Sequence, residues 1–167
     1  MVPGKHRMVV DSTTPATFAS ALMYVNNYLI ANKSGYGLQA QDLAVVIVAR
    51  HYSTPFAYND TIWKKYGRTI SRLSQFTDPN THEPPVNNVH MVSGSLASLL
   101  KQGVHLAVCE MATMQLADSI ASDAGSDGES ILKEIKANLV ANSHLAPAGI
   151  VAVNRAQERG YALATVL

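Results

Sequence analysis

The chain has 167 residues, 47% of them apolar, and a formal net charge of +1. That length can bury one sizeable core, so a single domain over residues 1–167 is expected. The near-neutral balance of mixed acids and bases lacks the basic footprint of a nucleic-acid or membrane-surface binder, which leaves a small molecule or another protein as the expected partner.

One cysteine excludes an internal disulfide, and there is no CxxC or HxxxH array of metal-ligand spacing. No metal and no cofactor are therefore expected, and the absence of GxGxxG, GxxxxGK[ST] and GxSxG patterns points the same way for dinucleotides, nucleotides and serine hydrolysis. No apolar run approaches the roughly 20 residues that span a bilayer. The start MVPGKHRMVVD has no signal-peptide h-region, so a cytoplasmic setting is expected. Met1 is equally compatible with a start that replaces a removed leader of an exported parent.

Residues 7–11 (RMVVD) read as a short strand, and Thr14-Pro15 as a helix cap with proline at the first helical position. Phe18, Leu22, Val25 and Leu29 then fall on one helical face, with the helix ending near Asn32. Residues 43–49 (LAVVIVA) form the clearest strand, a continuous β-branched run of the kind buried on both faces of a parallel sheet. Residues 50–59 read as a turn-rich loop, Ile62, Trp63 and Tyr66 open another helix, and the proline- and asparagine-rich residues 77–88 are irregular.

Residues 95–102 predict a short helix closed by Gly103, followed by a second buried strand at 104–108. Helices are expected from Glu110 to about Ala121 and over 129–140, with a short strand at 144–146. Proline at the front and glycine at the back favour a helix over 147–160, although residues 150–153 also fit a strand. Residues 161–166 are the last strand. This alternation predicts an α/β fold, a three-layer α/β/α sandwich of flavodoxin-like architecture around a mainly parallel sheet of about five strands.

In such sheets ligands gather beyond the carboxyl ends of the strands. Asp11 and Ser12 follow the first strand, Arg50, His51 and Tyr52 the second, and Cys109 and Glu110 the third, so all seven are candidate site residues. A thiol at a helix N terminus faces unpaired N–H groups and the positive end of the helix dipole, which favour thiolate. Glu110 opposes ionisation if its carboxylate points inward, and Arg50 or His51 compensates if the loops converge. Position alone leaves Cys109 open between a reactive thiol and a small buried side chain.

The segment KQGVHLAVCEMA, residues 101–112, and the tail LAPAGIVAVNRAQERGYALATV, residues 145–166, resemble the DsrE/DsrF-like family of sulfur-relay and sulfur-oxidation proteins. The loop RHYSTPFAYNDTIWKKYG, residues 50–67, is similar to one uncharacterised branch of it. The resemblance implies a compact α/β unit assembled as a homo-oligomer, a trimer or hexamer, with Cys109 as a catalytic persulfide carrier between sulfur donor and acceptor proteins. Glu110-Met111 directly after the cysteine and the segment 77–88 depart from the pattern of the relay members.

The alternative is a binding or assembly module in which Cys109 only packs and a pocket over the strand ends holds a small ligand. Among the other residues, His90 and His105 read as hydrogen-bonded structural histidines and His82 as a solvated loop residue. His6 and His144 show no carboxylate or histidine partner at a ligand spacing. Met111 and Met114 read as core filler or subunit interface, and Trp63 and Tyr66 as residues packed on the sheet.

Overall fold

The structure, a computed structural model, describes residues 2–86 and 95–166. Five strands form one sheet in the order β4-β3-β2-β1-β5, every neighbouring pair parallel. They are β1 (His6–Ser12), β2 (Leu43–Ala49), β3 (His105–Cys109), β4 (Ser143–Ala146) and β5 (Ala162–Thr165). The helices are α1 (Pro15–Tyr36), α2 (Asp60–Ser74), α3 (Ser95–Lys101), α4 (Glu110–Ala124), α5 (Gly128–Ala137) and α6 (Gly149–Glu158). The expected α/β/α sandwich is thus observed, in a strand order that differs from the flavodoxin order 2-1-3-4-5.

That order makes the two faces unequal. From β1 to β4 the chain steps along the sheet in one direction, and right-handed crossovers keep α1 to α5 on one face. The step from β4 to β5 runs back across the sheet, so α6 lies on the other. The large core joins α1, α2, α4 and α5 to Val10, Val45, Ile47, Leu106 and Val108. Under α6 the core is small: Val153 and Tyr161 meet Val9, Ala44 and Val48. Because β2 is the central strand, alternate residues of LAVVIVA serve each core, which is why the run has no polar face.

Local chemistry accounts for most element ends. Thr14 caps α1 in a reciprocal box with Thr17: Thr17 N–H donates to Thr14 Oγ1 at 3.1 Å and Thr14 N–H to Thr17 Oγ1 at 2.8 Å. The helix runs past Asn32 to Tyr36, since Gly37, at φ 69°, is the residue that takes the left-handed closing conformation. Residues 51–57, read as loop, coil into a 3₁₀ helix that buries Phe56 between Phe18 and Trp63, with centroids 5.0 and 6.0 Å away. Helix α5 stops at Ala137 rather than 140 because Asn138 and Val140 turn to other partners: Asn59 N–H donates to Asn138 O and Val140 N–H to Ala57 O. Over 149–158 the helical alternative holds, and the strand reading of 150–153 is not observed. Of the irregular segment 77–88, Asn87 and Asn88 lie outside the described residues.

Trp63 is fully buried and donates Nε1–H to Pro55 O at 3.1 Å. Tyr66 donates its hydroxyl to Glu134 at 2.6 Å, and Lys65 pairs with the same carboxylate, which clasps α2 to α5. Hydrogen bonds from Lys65 and Tyr66 hold the Glu134 carboxyl below the usual carboxylate range. Stability from such a depressed group is present above the unfolded value of about 4.3 and is lost as pH falls through the folded value. Glu134→Gln is therefore expected to cost about 1 kcal/mol at neutral pH in urea unfolding, with the two proteins converging at low pH.

Candidate functional site

The carboxyl ends of β1, β2 and β3 converge as expected, and one ion pair organises them. Arg50 donates from Nε to Asp11 Oδ1 and from Nη2 to Asp11 Oδ2, both at 2.8 Å. The pair is bidentate and about three-quarters shielded, with side-chain exposures of 27% and 20%, so it belongs with the strong, geometrically specific pairs. The guanidinium is held above its ordinary pKa first by the Asp11 hydrogen bonds, against the opposing effect of burial, with smaller electrostatic contributions from Asp11 and from nearby Cys109. Arg50 and Cys109 are therefore electrostatic neighbours.

Strand alternation explains the grouping. Val10, Ala49 and Val108 point into the large core, which puts Asp11, Arg50 and Cys109 on the α6 side of the sheet. Helix α6 starts directly on this group: a Cβ built at Gly149 would lie 2.4 Å from Arg50 Cβ and 2.8 Å from Cδ. Only glycine lets the helix begin there.

Cys109 is the last residue of β3 and the N-cap of α4, with no side-chain hydrogen bond to the open helix end. It is 8% exposed. Its carbonyl accepts from Thr113 Oγ1 at 2.9 Å, and Tyr58 in turn donates to Thr113 Oγ1 at 3.0 Å. Tyr58 is fully buried, and burial pushes its phenol pKa well up. Glu110, which sequence set against ionisation of the thiol, has its carboxylate 2.5 Å from Lys136 Nζ of α5.

The other expected members lie elsewhere. Ser12 faces the large core: its side chain is fully buried, as alternation with Val10 dictates, and its Oγ has no hydrogen-bond partner. What Ser12 contributes is its carbonyl, which accepts from Ser53 Oγ and Arg50 N–H. His51 adopts φ 59°, a left-handed turn that carries the chain off the α6 side. With Tyr52, 4.9 Å away between ring centroids, it lines a cleft of ≈ 270 Å³ between the 3₁₀ helix, α2 and α4. Gln115 and Ser119 line the same cleft, and Cys109, Asp11 and Arg50 do not. The single site expected from sequence is therefore two: an Asp11–Arg50–Cys109 group beside α6 and a His51–Tyr52 cleft beside α4.

Met111 and Met114 are 57% and 47% exposed, which removes the core-filler reading. His144, expected to have no histidine partner, has one: His105 Nδ1 and His144 Nε2 are 3.0 Å apart. The missed signal is the tripeptide His-Leu-Ala, repeated at 105–107 and 144–146 in two strand segments that turn out to be neighbours. His90 lies outside the described residues. Among the described residues no group of three or more metal-ligating side chains occurs, and no helix is long and apolar enough to cross a membrane.

No family model and no curated protein matches the chain. Among solved structures it is similar to a protein of unknown function, MTH1491, from Methanobacterium thermoautotrophicum, at 15% identity and a TM-score of 0.45, over 96% of this chain and 99% of that one.

The Gly149 contact yields a test of how the group is held. Gly149→Ala is expected to destabilise the protein by about 1–3 kcal/mol, the usual cost of forcing atoms into packed space. Thermal unfolding measures it, and a silent substitution would show that α6 does not bear on Arg50.

Proposed function

We propose that the protein is a sulfur carrier or thiol-transfer protein with Cys109 as its persulfide-forming residue. The observation that carries this reading is the place of Cys109: last residue of β3, N-cap of α4 with no capping side chain, and on the side of the sheet that Arg50 shares. Sulfur transfer needs a nucleophilic sulfur, and this place sets the thiol at an open helix N terminus near a fixed guanidinium. Engagement of Glu110 by Lys136 offsets the neighbouring carboxylate charge that sequence set against this chemistry.

In the reaction, the Cys109 thiolate attacks the terminal sulfur of a donor persulfide, R–S–SH. The new Cys109 S–S bond forms as the donor S–S bond breaks, and the donor leaves as R–SH; the proton lost by Cys109 balances the one taken up by the leaving thiolate. An acceptor thiolate then takes the terminal sulfur and restores Cys109. With Cys109 only 8% exposed, the donor has to deliver its sulfur at close quarters. Exposed Met111 and Ile150 lie in the first turns of the two helices that start at this edge, with exposed Met114 at the start of the next turn of α4, and they suit a docking partner or a second copy in a homo-oligomer. A reducing, cytoplasmic setting belongs to the same reading, because it keeps the thiol free.

The alternative is a ligand-binding module in which Cys109 packs and the His51–Tyr52 cleft takes a small molecule. The low exposure of Cys109 and the size of the cleft favour it. Incubation with a sulfane-sulfur donor followed by intact mass measurement separates the two. The carrier gains about 32 mass units, removed by a reductant and absent in Cys109→Ser; a folded protein that gains no mass is the ligand-binding module.

A further inference from the structure

We propose that His105 and His144 form a two-histidine site for a first-row divalent transition-metal ion, with Cu2+ held more tightly than Zn2+. The two residues stand on adjacent parallel strands, with Ala107 opposite His144, so His105 is its diagonal neighbour. Leu106 and Leu145 pack into the large core, which turns both histidines to the α6 face. There the rings lie nearly parallel, 14° apart with centroids at 5.2 Å, in an exposed position.

The 3.0 Å separation of His105 Nδ1 and His144 Nε2 is that of a hydrogen bond, and it is close to the span of two nitrogens on one metal. Two metal–nitrogen bonds of about 2.0–2.1 Å enclosing roughly 90–95° span about 3.0 Å. Tetrahedral bonds of the same length span roughly 3.3 Å. Both spans lie within a small turn of the rings, and the preference for Cu2+ over Zn2+ follows from the general affinity order of nitrogen sites for divalent first-row ions.

Metal-free, the pair holds one proton in an N–H···N bond. On binding, that proton moves to the outer nitrogen of its own ring, both inner lone pairs turn to the metal, and no net proton is lost. With no third metal-ligating side chain grouped with them among the described residues, the remaining positions are open to water or to an added ligand. The sheet holds the spacing without help from a loop.

The test uses the untagged full chain. Ni2+, which does not oxidise the thiol, is titrated calorimetrically, and Cu2+ is followed by electron paramagnetic resonance. One Ni2+ per chain is expected, with a Cu2+ spectrum split by two nitrogens. His105→Ala and His144→Ala should each weaken Ni2+ binding at least about tenfold, since even loss of a residue that merely supports a ligand costs about 10–100-fold. His82→Ala, a loop control, should leave binding unchanged. His144 is exposed, so its variant keeps the fold, which unfolding temperature verifies. Binding that survives His144→Ala, a one-nitrogen spectrum, Zn2+ held more tightly than Cu2+, or no stoichiometric uptake would each overturn the proposal.

Discussion

The bidentate pair between Asp11 and Arg50 ties the carboxyl ends of β1 and β2 together, and the rest of the site is arranged around it. Two parallel strands that carry Asp11 and Arg50 on the same side at their carboxyl ends would otherwise leave a carboxylate and a guanidinium to be solvated separately beneath α6. Paired, they form a rigid ledge on which α6 can begin, provided that its first residue is Gly149. The charge of Asp11 also fixes where the guanidinium sits. That placement keeps a cation beside Cys109 while most of the demand for a counter-ion is met by Asp11.

Strand order decides which residues share this ledge. Because β1 to β4 run in sequence across the sheet and only the return to β5 crosses the other face, one helix covers what five cover opposite. The α6 face is accordingly thinly packed, with a small core and with polar residues at both strand ends: Asp11, Arg50 and Cys109 at the carboxyl ends, His105 and His144 nearer the amino ends. The opposite face is a dry core in which the buried hydroxyls of Tyr58 and Thr113 form a chain ending at the carbonyl of Cys109. Cys109 is thus held through its backbone from one face while its side chain belongs to the other.

What could be read from sequence was whatever depends on neighbours in the chain. LAVVIVA declared β2 because a central strand has no polar face, and Thr14-Pro15 declared α1 because caps are local chemistry. The position of Cys109 between a strand and a helix was legible for the same reason, to within one residue. Legibility failed where a partner comes from far along the chain or where one dihedral redirects it. The left-handed turn at His51 moved His51 and Tyr52 away from Arg50, although the three are consecutive. Lys136 is 26 residues from the carboxylate it engages, and His105 is 39 from His144. Ser12 looked like a site residue until strand alternation assigned it to the core.

The proposed sulfur chemistry needs Cys109 to be a reactive thiol whose reactivity depends on the Arg50 that Asp11 positions. It is tested most directly by the rate at which a small alkylating agent modifies Cys109 at neutral pH in the native protein and in Arg50→Met, each divided by the rate of its own unfolded chain. Removing the neighbouring guanidinium is expected to lower the normalised rate by roughly tenfold or more. Equal normalised rates in two folded proteins would contradict the account and leave Cys109 a packed side chain.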